Sequence, residues 1–132
     1  MLIPYLHPPT LADFETIAQQ ALASIPRELR DYATNVVMRI EEFPDDETLD
    51  EMGFESPFEL LGLYRGVSLN RRSVFDTPQN VDMIFLYRRP LLDYWCETGD
   101  SLFEVVRHVL IHEIGHHFGF SDEDMERIEE QS

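Results

Sequence analysis

The feature that most constrains the fold is a helix predicted between Asp100 or Ser101, as its N-cap, and Gly119. Its apolar residues are Leu102, Phe103, Val105, Val106, Val109 and Leu110. Such residues cover much of the helix circumference, which is typical of a helix buried inside a domain. Glycine ends a helix well because it adopts a left-handed backbone at little cost. The rest of the chain is therefore expected to pack around this helix.

The same helix contains an HExxH sequence, His112-Glu113-Ile114-Gly115-His116. Residues four apart on an α-helix lie about 40° apart around its axis and one turn along it. His112 and His116 therefore share a face and can bind one metal ion. Glu113 lies about 100° round from His112, near the metal, where a general base is needed.

A third protein ligand is expected, because catalytic zinc sites usually have three protein ligands and a water molecule. Gly119 can reverse the chain after the helix, and Asp122 follows three residues later. Asp122 is therefore the predicted third ligand. The alternatives are the acidic residues of the last helix, if that helix folds over the site: Glu126, Glu129 and Glu130.

The remaining histidines are less favoured as ligands. His108 also lies four residues before His112, but a His108–His112 pair would leave no glutamate between the ligands in the catalytic position. His117 points about 100° away from His116, and we expect it to be hydrogen-bonded or partly exposed. His7 lies among prolines and is expected to be incidental.

The predicted chemistry is zinc-dependent hydrolysis of peptide bonds. Zinc lowers the pKa of a water molecule toward neutrality and polarises a carbonyl oxygen. Glu113 would accept the proton and later pass it to the leaving amine. The expected substrates are peptides or unstructured proteins. The alternative left open is a non-catalytic metal-binding module, or a degenerate peptidase that is active only with a partner.

Composition and charge exclude other classes of protein. The 10 Lys and Arg residues against 26 Asp and Glu residues give a net charge of −16, which would repel nucleic acid. No apolar run of about 18 residues occurs, so no membrane span is predicted. The opening MLIPYLHPPT does not resemble a signal peptide, and a lone cysteine, Cys96, suits a reducing compartment. The predicted location is the cytoplasm, with Cys96 expected in the core.

The element order predicts an α+β fold, and the length of 132 residues predicts one domain over residues 1–132. The predicted elements are a helix from Thr10 to near Pro26, strands within Asn35–Phe43, Glu59–Leu69 and Val81–Tyr87, a loop or short helix after Pro44, a turn-rich segment from Asn70 to Asn80, a short helix over Leu91–Cys96, and an acidic helix after Ser121.

Several stretches also carry a family resemblance. HEIGHHFGFSD resembles the metzincin sequence HExxHxxGxxH, with Asp122 in place of the last histidine. LLGLYRGV, IFLYRRP and above all VLIHEIGHHFGFSDEDM resemble a small bacterial family of zincin-like neutral zinc metallopeptidases, over most of the chain.

That resemblance implies a minimal zincin fold, in which a small mixed β-sheet packs on the active-site helix with N- and C-terminal helices. It also implies Zn²⁺ as cofactor, Glu113 as base, and His112, His116 and Asp122 as ligands. In zincins an exposed edge strand commonly receives an extended substrate. Leu60–Arg65 and Val81–Tyr87 are the two candidates for that strand.

Overall fold

A computed structural model of the protein describes residues 7–66 and 81–131. Its elements, in chain order, are α1 (Leu11–Ser24), α2 (Arg27–Arg30), β1 (Val37–Glu41), α3 (Asp46–Met52), β2 (Gly62–Arg65), β3 (Met83–Tyr87), α4 (Arg88–Thr98), α5 (Leu102–His117) and α6 (Asp122–Glu130). Short 3₁₀ turns lie at Asp31–Ala33 and Pro57–Glu59. The predicted α+β class is confirmed.

The three described strands form one sheet in the order β1-β3-β2. β1 runs parallel to β3, with Val37 opposite Met83. β2 runs antiparallel to β3, with Gly62 opposite Leu86. The mixed sheet implied by the family resemblance is therefore confirmed, and β3 is its central strand.

The apolar core surrounds α5, as its sequence predicts. Val106, Leu110 and Ile111 of this helix have no exposed surface. α1 packs on one part of α5 and α6 on another, so a single core cluster includes both Phe14 and Ile128. The HExxH helix is thus held by elements from both ends of the chain.

The local signals at helix ends work as predicted. Thr10 caps α1 in a reciprocal capping box with Asp13. Ser101 is the N-cap of α5, and its side chain accepts a hydrogen bond from the Glu104 backbone N–H. Gly119 has a left-handed φ of 79°, so the chain turns there and α6 can fold back.

Two expectations about α4 differ from the structure. The helix begins at Arg88 instead of Leu91, because Pro90 falls in the first turn, where a backbone N–H has no helical partner in any case. Cys96 is exposed, so the expectation of a buried thiol is wrong. It lies about 140° round the helix from Leu91, which faces the core.

The remaining predictions concern the segment after Pro44, the segment from Asn70 to Asn80 and membrane spans. The segment after Pro44 forms a helix, α3, capped by Asp45. The predicted turn-rich segment from Asn70 to Asn80 lies outside the described residues. Among the residues that are described, none of the helices is long and apolar enough to cross a membrane.

Candidate metal centre and active site

A glycine allows α5 to lie close to β2. A Cβ at Gly62 would lie 2.9 Å from Val109 Cγ1 and 3.0 Å from the Phe85 carbonyl oxygen. A larger residue would therefore push the helix away from the strand. This close approach brings the HExxH turn of α5 beside β2.

Glu113, the predicted base, is half-buried and meets β2 at Tyr64. Burial raises the pKa of the Glu113 carboxyl above its usual range, while a hydrogen bond from the Tyr64 backbone N–H and the nearby His116 lower it. The carboxyl group therefore lies in a partly desolvated position between the helix and the strand.

The Tyr64 N–H that meets Glu113 points away from β3. Leu61 accepts a hydrogen bond from the Tyr87 N–H at 3.0 Å, and hydrogen-bonded positions alternate along an antiparallel pair. The backbone groups of Gly62 and Tyr64 consequently face the other side of β2. Within residues 7–66 and 81–131, no strand pairs with that side. Glu113 thus lies at an edge of β2 that no described strand covers.

The predicted ligands lie at the C-terminal end of α5. The ring centroids of His112 and His116 are 5.7 Å apart, consistent with their shared face. His116 Nε2 lies 3.7 Å from Asp122 Oδ1, so the turn at Gly119 does return Asp122 toward the helix. The Asp122 side chain is 94% exposed. The structure therefore brings His116 and Asp122 together at the surface, beside His112.

A second set of side chains meets one helical turn earlier. His108 Nδ1 lies 2.6 Å from Glu129 Oε2, and His112 Nε2 lies 3.4 Å from Glu129 Oε1. One ligand atom from each of these three residues falls within 4.8 Å of the others. Among the described residues, His108, His112 and Glu129 form the group of three whose donor atoms are close enough together for one metal ion.

The position of α6 explains how Glu129 reaches α5. Met125 is fully buried against Gly115, since a Cβ on this glycine would overlap Met125 Sδ and lie 2.7 Å from its Cγ. Arg107 donates hydrogen bonds to the backbone carbonyls of Glu129 and Gln131, each at 2.8 Å. These contacts fix both ends of α6 across the HExxH helix.

The pKa of His112 reflects its burial, its neighbours on α5 and Glu129 on α6. Burial lowers the pKa of the His112 imidazole, and the adjacent His108 lowers it further, while Glu129 opposes both effects. A neutral imidazole is the form that binds a metal. The surroundings of His112 thus favour its ligand form.

His117, which was not expected to be a ligand, packs on β2. Its ring stacks on Tyr64 with centroids 4.0 Å apart, and the histidine remains exposed. The Tyr64 hydroxyl donates to Asp82 Oδ2 at 2.7 Å, and burial raises the pKa of this tyrosine above its usual range. His117 therefore supports the strand that meets Glu113.

The contact between His108 and Glu129 does not follow from the sequence alone. The spacing of four between His108 and His112 was the available signal, but the absence of a glutamate between them argued against a ligand role. Glu129 was among the alternatives to Asp122, and its contact depends on how α6 crosses α5. That crossing is set by packing at Gly115, which the sequence does not show.

The donor chemistry fits the metal that the HExxH sequence implies. Imidazole nitrogen and carboxylate oxygen are the donors of many catalytic zinc sites. Among the described residues, one set of three has its donor atoms close together, and it consists of His108, His112 and Glu129. Of the predicted ligands, His116 and Asp122 lie 3.7 Å apart, Nε2 to Oδ1, but His112, His116 and Asp122 together are not such a set. His108, His112 and Glu129 have donor atoms within 4.8 Å of one another and could hold a metal ion.

An HExxH helix against a small mixed sheet, with histidine and carboxylate donors and a glutamate beside them, defines the zincin class of metallopeptidases. The comparison with family models agrees. The model of the zincin-like metallopeptidases matches residues 33–132, and the chain belongs to this family. A comparison with curated proteins finds no match.

Proposed function

We propose that the protein is a zinc-dependent peptidase in which Glu113 is the general base and His112, His116 and Asp122 are the metal ligands. The observation that carries the proposal is the position of Glu113, half-buried on the HExxH helix beside the β2 edge that no described strand covers. Membership of the zincin-like metallopeptidase family supports the same conclusion.

The ligands follow from the HExxH spacing and from the turn at Gly119. His112 and His116 share a face of α5, and Asp122 lies 3.7 Å from His116 between Oδ1 and Nε2. Zinc bound there would polarise a carbonyl oxygen and lower the pKa of water. The residues of this chain supply the remaining requirements, which are proton transfer and substrate alignment.

Proton transfer is assigned to Glu113. A raised carboxyl pKa brings a glutamate closer to the neutral pH at which a general base is most effective. Glu113 accepts a proton from the attacking water as oxygen adds to the peptide carbonyl. It then passes this proton to the nitrogen of the leaving amine as the C–N bond breaks. No covalent intermediate with the protein is needed.

Substrate alignment is assigned to β2. Of the two candidate segments, Val81–Tyr87 contains the central strand, which pairs on both sides. The Gly62 N–H and C=O and the Tyr64 C=O face outward from β2, whereas the Tyr64 N–H binds Glu113. These outward-facing groups can pair with an extended peptide. A peptide or an unstructured protein in the cytoplasm is the proposed substrate, since it can lie along an edge strand without unfolding first.

The alternative is a metal-binding module without catalysis. The cluster of His108, His112 and Glu129 favours it, because a metal held there would tie α5 to α6 without using Glu113. Hydrolysis is the property that separates the two functions.

The test is reconstitution of metal-free protein with zinc, followed by cleavage of a peptide library. We expect activity to rise with zinc and to reach its maximum at about one equivalent. His116→Ala should abolish that activity, whereas the matched control His7→Ala, at an exposed position outside the family match, should not. Zinc binding without cleavage of any peptide would favour the metal-binding module. A protein that binds no zinc would refute both functions.

A further inference from the structure

Three side chains on α5 and α6 form a cluster that the proposed peptidase reaction does not use in full. His108 and Glu129 lie outside the proposed ligand set, yet Glu129 contacts both His108 and His112. We propose that His108, His112 and Glu129 form a second divalent-cation site, which shares His112 with the catalytic ligands and is therefore mutually exclusive with them.

The geometry of the cluster is already close to that of a metal site. One ligand atom from each residue lies within 4.8 Å of the others, and tetrahedral ligands around zinc are separated by about 3–4 Å. The His108–Glu129 pair, 2.6 Å apart between Nδ1 and Oε2, has to separate by about 1 Å for both groups to bind one ion. Two imidazoles and one carboxylate favour zinc, cobalt or nickel over calcium or magnesium, which prefer oxygen donors.

The three residues are held in place by contacts that do not depend on a metal. His108 and His112 are one turn apart on α5, with ring centroids 4.2 Å apart. Arg107 binds the backbone carbonyl of Glu129 at 2.8 Å and also bonds to Ser24 Oγ at 3.0 Å. The guanidinium is thus engaged with the backbone and with a hydroxyl group, which leaves the Glu129 carboxylate free to face the histidines.

A cavity gives cations access to this cluster. It has a volume of about 350 Å³, and its lining includes His108 and Glu129, the acidic residues Asp100 and Glu104 and the basic residue Arg107. The cavity reaches the cluster at His108 and Glu129, and none of His112, His116 and Asp122 lines it. A net charge of −16 further raises the local concentration of cations. The second site therefore has its own entrance, separate from the surface around Asp122.

Because the two sites share His112, a cation bound in the second site would regulate the peptidase. This inference rests on the proposed peptidase function. A cation held by His108, His112 and Glu129 takes one ligand from the catalytic set. It also links α6 to α5 more firmly. Metal binding at the two positions is therefore competitive, and the cavity position holds an inactive form.

The test is a pair of titrations of the metal-free protein. Binding of Co²⁺ is monitored by visible absorption, and binding of Zn²⁺ is measured in competition with a chromophoric chelator. Wild type should bind one cation. His116→Ala should still bind one cation through the cavity position. Adding His108→Ala or Glu129→Gln to His116→Ala should weaken binding at least tenfold and change the Co²⁺ spectrum. The matched control is Glu123→Gln, at an exposed position on the same helix.

Thermal unfolding supplies an independent readout. Zn²⁺ should raise the melting temperature of His116→Ala, because a ligand that binds only the folded state stabilises it. It should not do so for the double variant His108→Ala/His116→Ala. Circular dichroism without metal checks that both variants are folded.

The outcomes separate this proposal from the peptidase function. If His116→Ala binds no cation while wild type binds zinc and cleaves peptides, the second site is refuted and the peptidase stands. If the double variants bind as tightly as His116→Ala alone, the second site is also refuted. If His108→Ala and Glu129→Gln each weaken binding but wild type cleaves nothing, the site stands and the peptidase function fails.

Discussion

Gly115 is the position at which the structure makes its sharpest prediction about stability. It lies inside the HExxH sequence, between Ile114 and His116, and is buried against Met125. Gly115→Ala combines two opposing effects. Alanine favours a helix by about 1 kcal/mol relative to glycine. The new Cβ would overlap Met125 Sδ and lie 2.7 Å from Met125 Cγ, and overpacking of this kind costs about 1–3 kcal/mol.

The steric cost should prevail in the native sequence. Met125 is flexible, but it is fully buried in the core cluster, so a shift of its side chain disturbs the packing of its neighbours. We expect Gly115→Ala to lower the free energy of unfolding by about 1 kcal/mol. Met125→Ala alone should lower it by about 2–5 kcal/mol, as deletion of a buried methionine side chain generally does.

The sign of the effect should reverse once Met125 is removed. In the Met125→Ala background, Gly115→Ala meets no steric obstacle and should raise the free energy of unfolding by about 1 kcal/mol. The coupling between the two sites is then about 2 kcal/mol, well above the usual error of a double-mutant cycle. Urea unfolding followed by circular dichroism measures all four proteins. If Gly115→Ala has the same effect in both backgrounds, α6 does not cross α5 at this glycine.

Three further predictions concern the elements around the site. Arg107→Ala should lower the free energy of unfolding by about 2 kcal/mol, because it removes hydrogen bonds to two backbone carbonyls near the end of α6. Arg107→Lys should recover only part of this loss. An unchanged free energy of unfolding in urea would contradict the role of Arg107. Ser101→Ala should cost about 1 kcal/mol through loss of the α5 N-cap, and an unchanged urea midpoint would exclude the cap. Burial, with a smaller effect of Glu41, raises the pKa of Tyr87 from 10.0 to about 12. The neutral phenol therefore contributes its full stabilisation below pH 10, and this contribution is lost as the pH rises toward 12. Tyr87→Phe should therefore flatten the fall in stability above about pH 10, and identical pH profiles would refute the shift.

Features set by local sequence were predictable. Thr10, Ser101 and Gly119 act on backbone groups a few residues away, and the structure places each at the helix end that its residue type indicates. The spacing of His112 and His116 likewise places them on one face, because it depends only on helix geometry.

Features set by packing between distant segments were not predictable from the sequence alone. The order β1-β3-β2 depends on how three short strands pair across separate parts of the chain. The contact of Glu129 with His108 depends on the angle at which α6 crosses α5, and Gly115 and Met125 fix that angle by close packing. A glycine within an HExxH helix does not reveal its packing partner.

The role of Glu113 is tested most directly by one ratio, the rate of peptide hydrolysis by Glu113→Gln relative to wild type at equal zinc content. Glutamine keeps the size of the side chain but cannot accept the proton. General acid–base catalysis contributes about 10²–10⁴-fold, so the predicted rate is at least about a hundredfold lower with unchanged zinc binding. Equal rates for the two zinc-loaded proteins would contradict the assignment of Glu113 as the base.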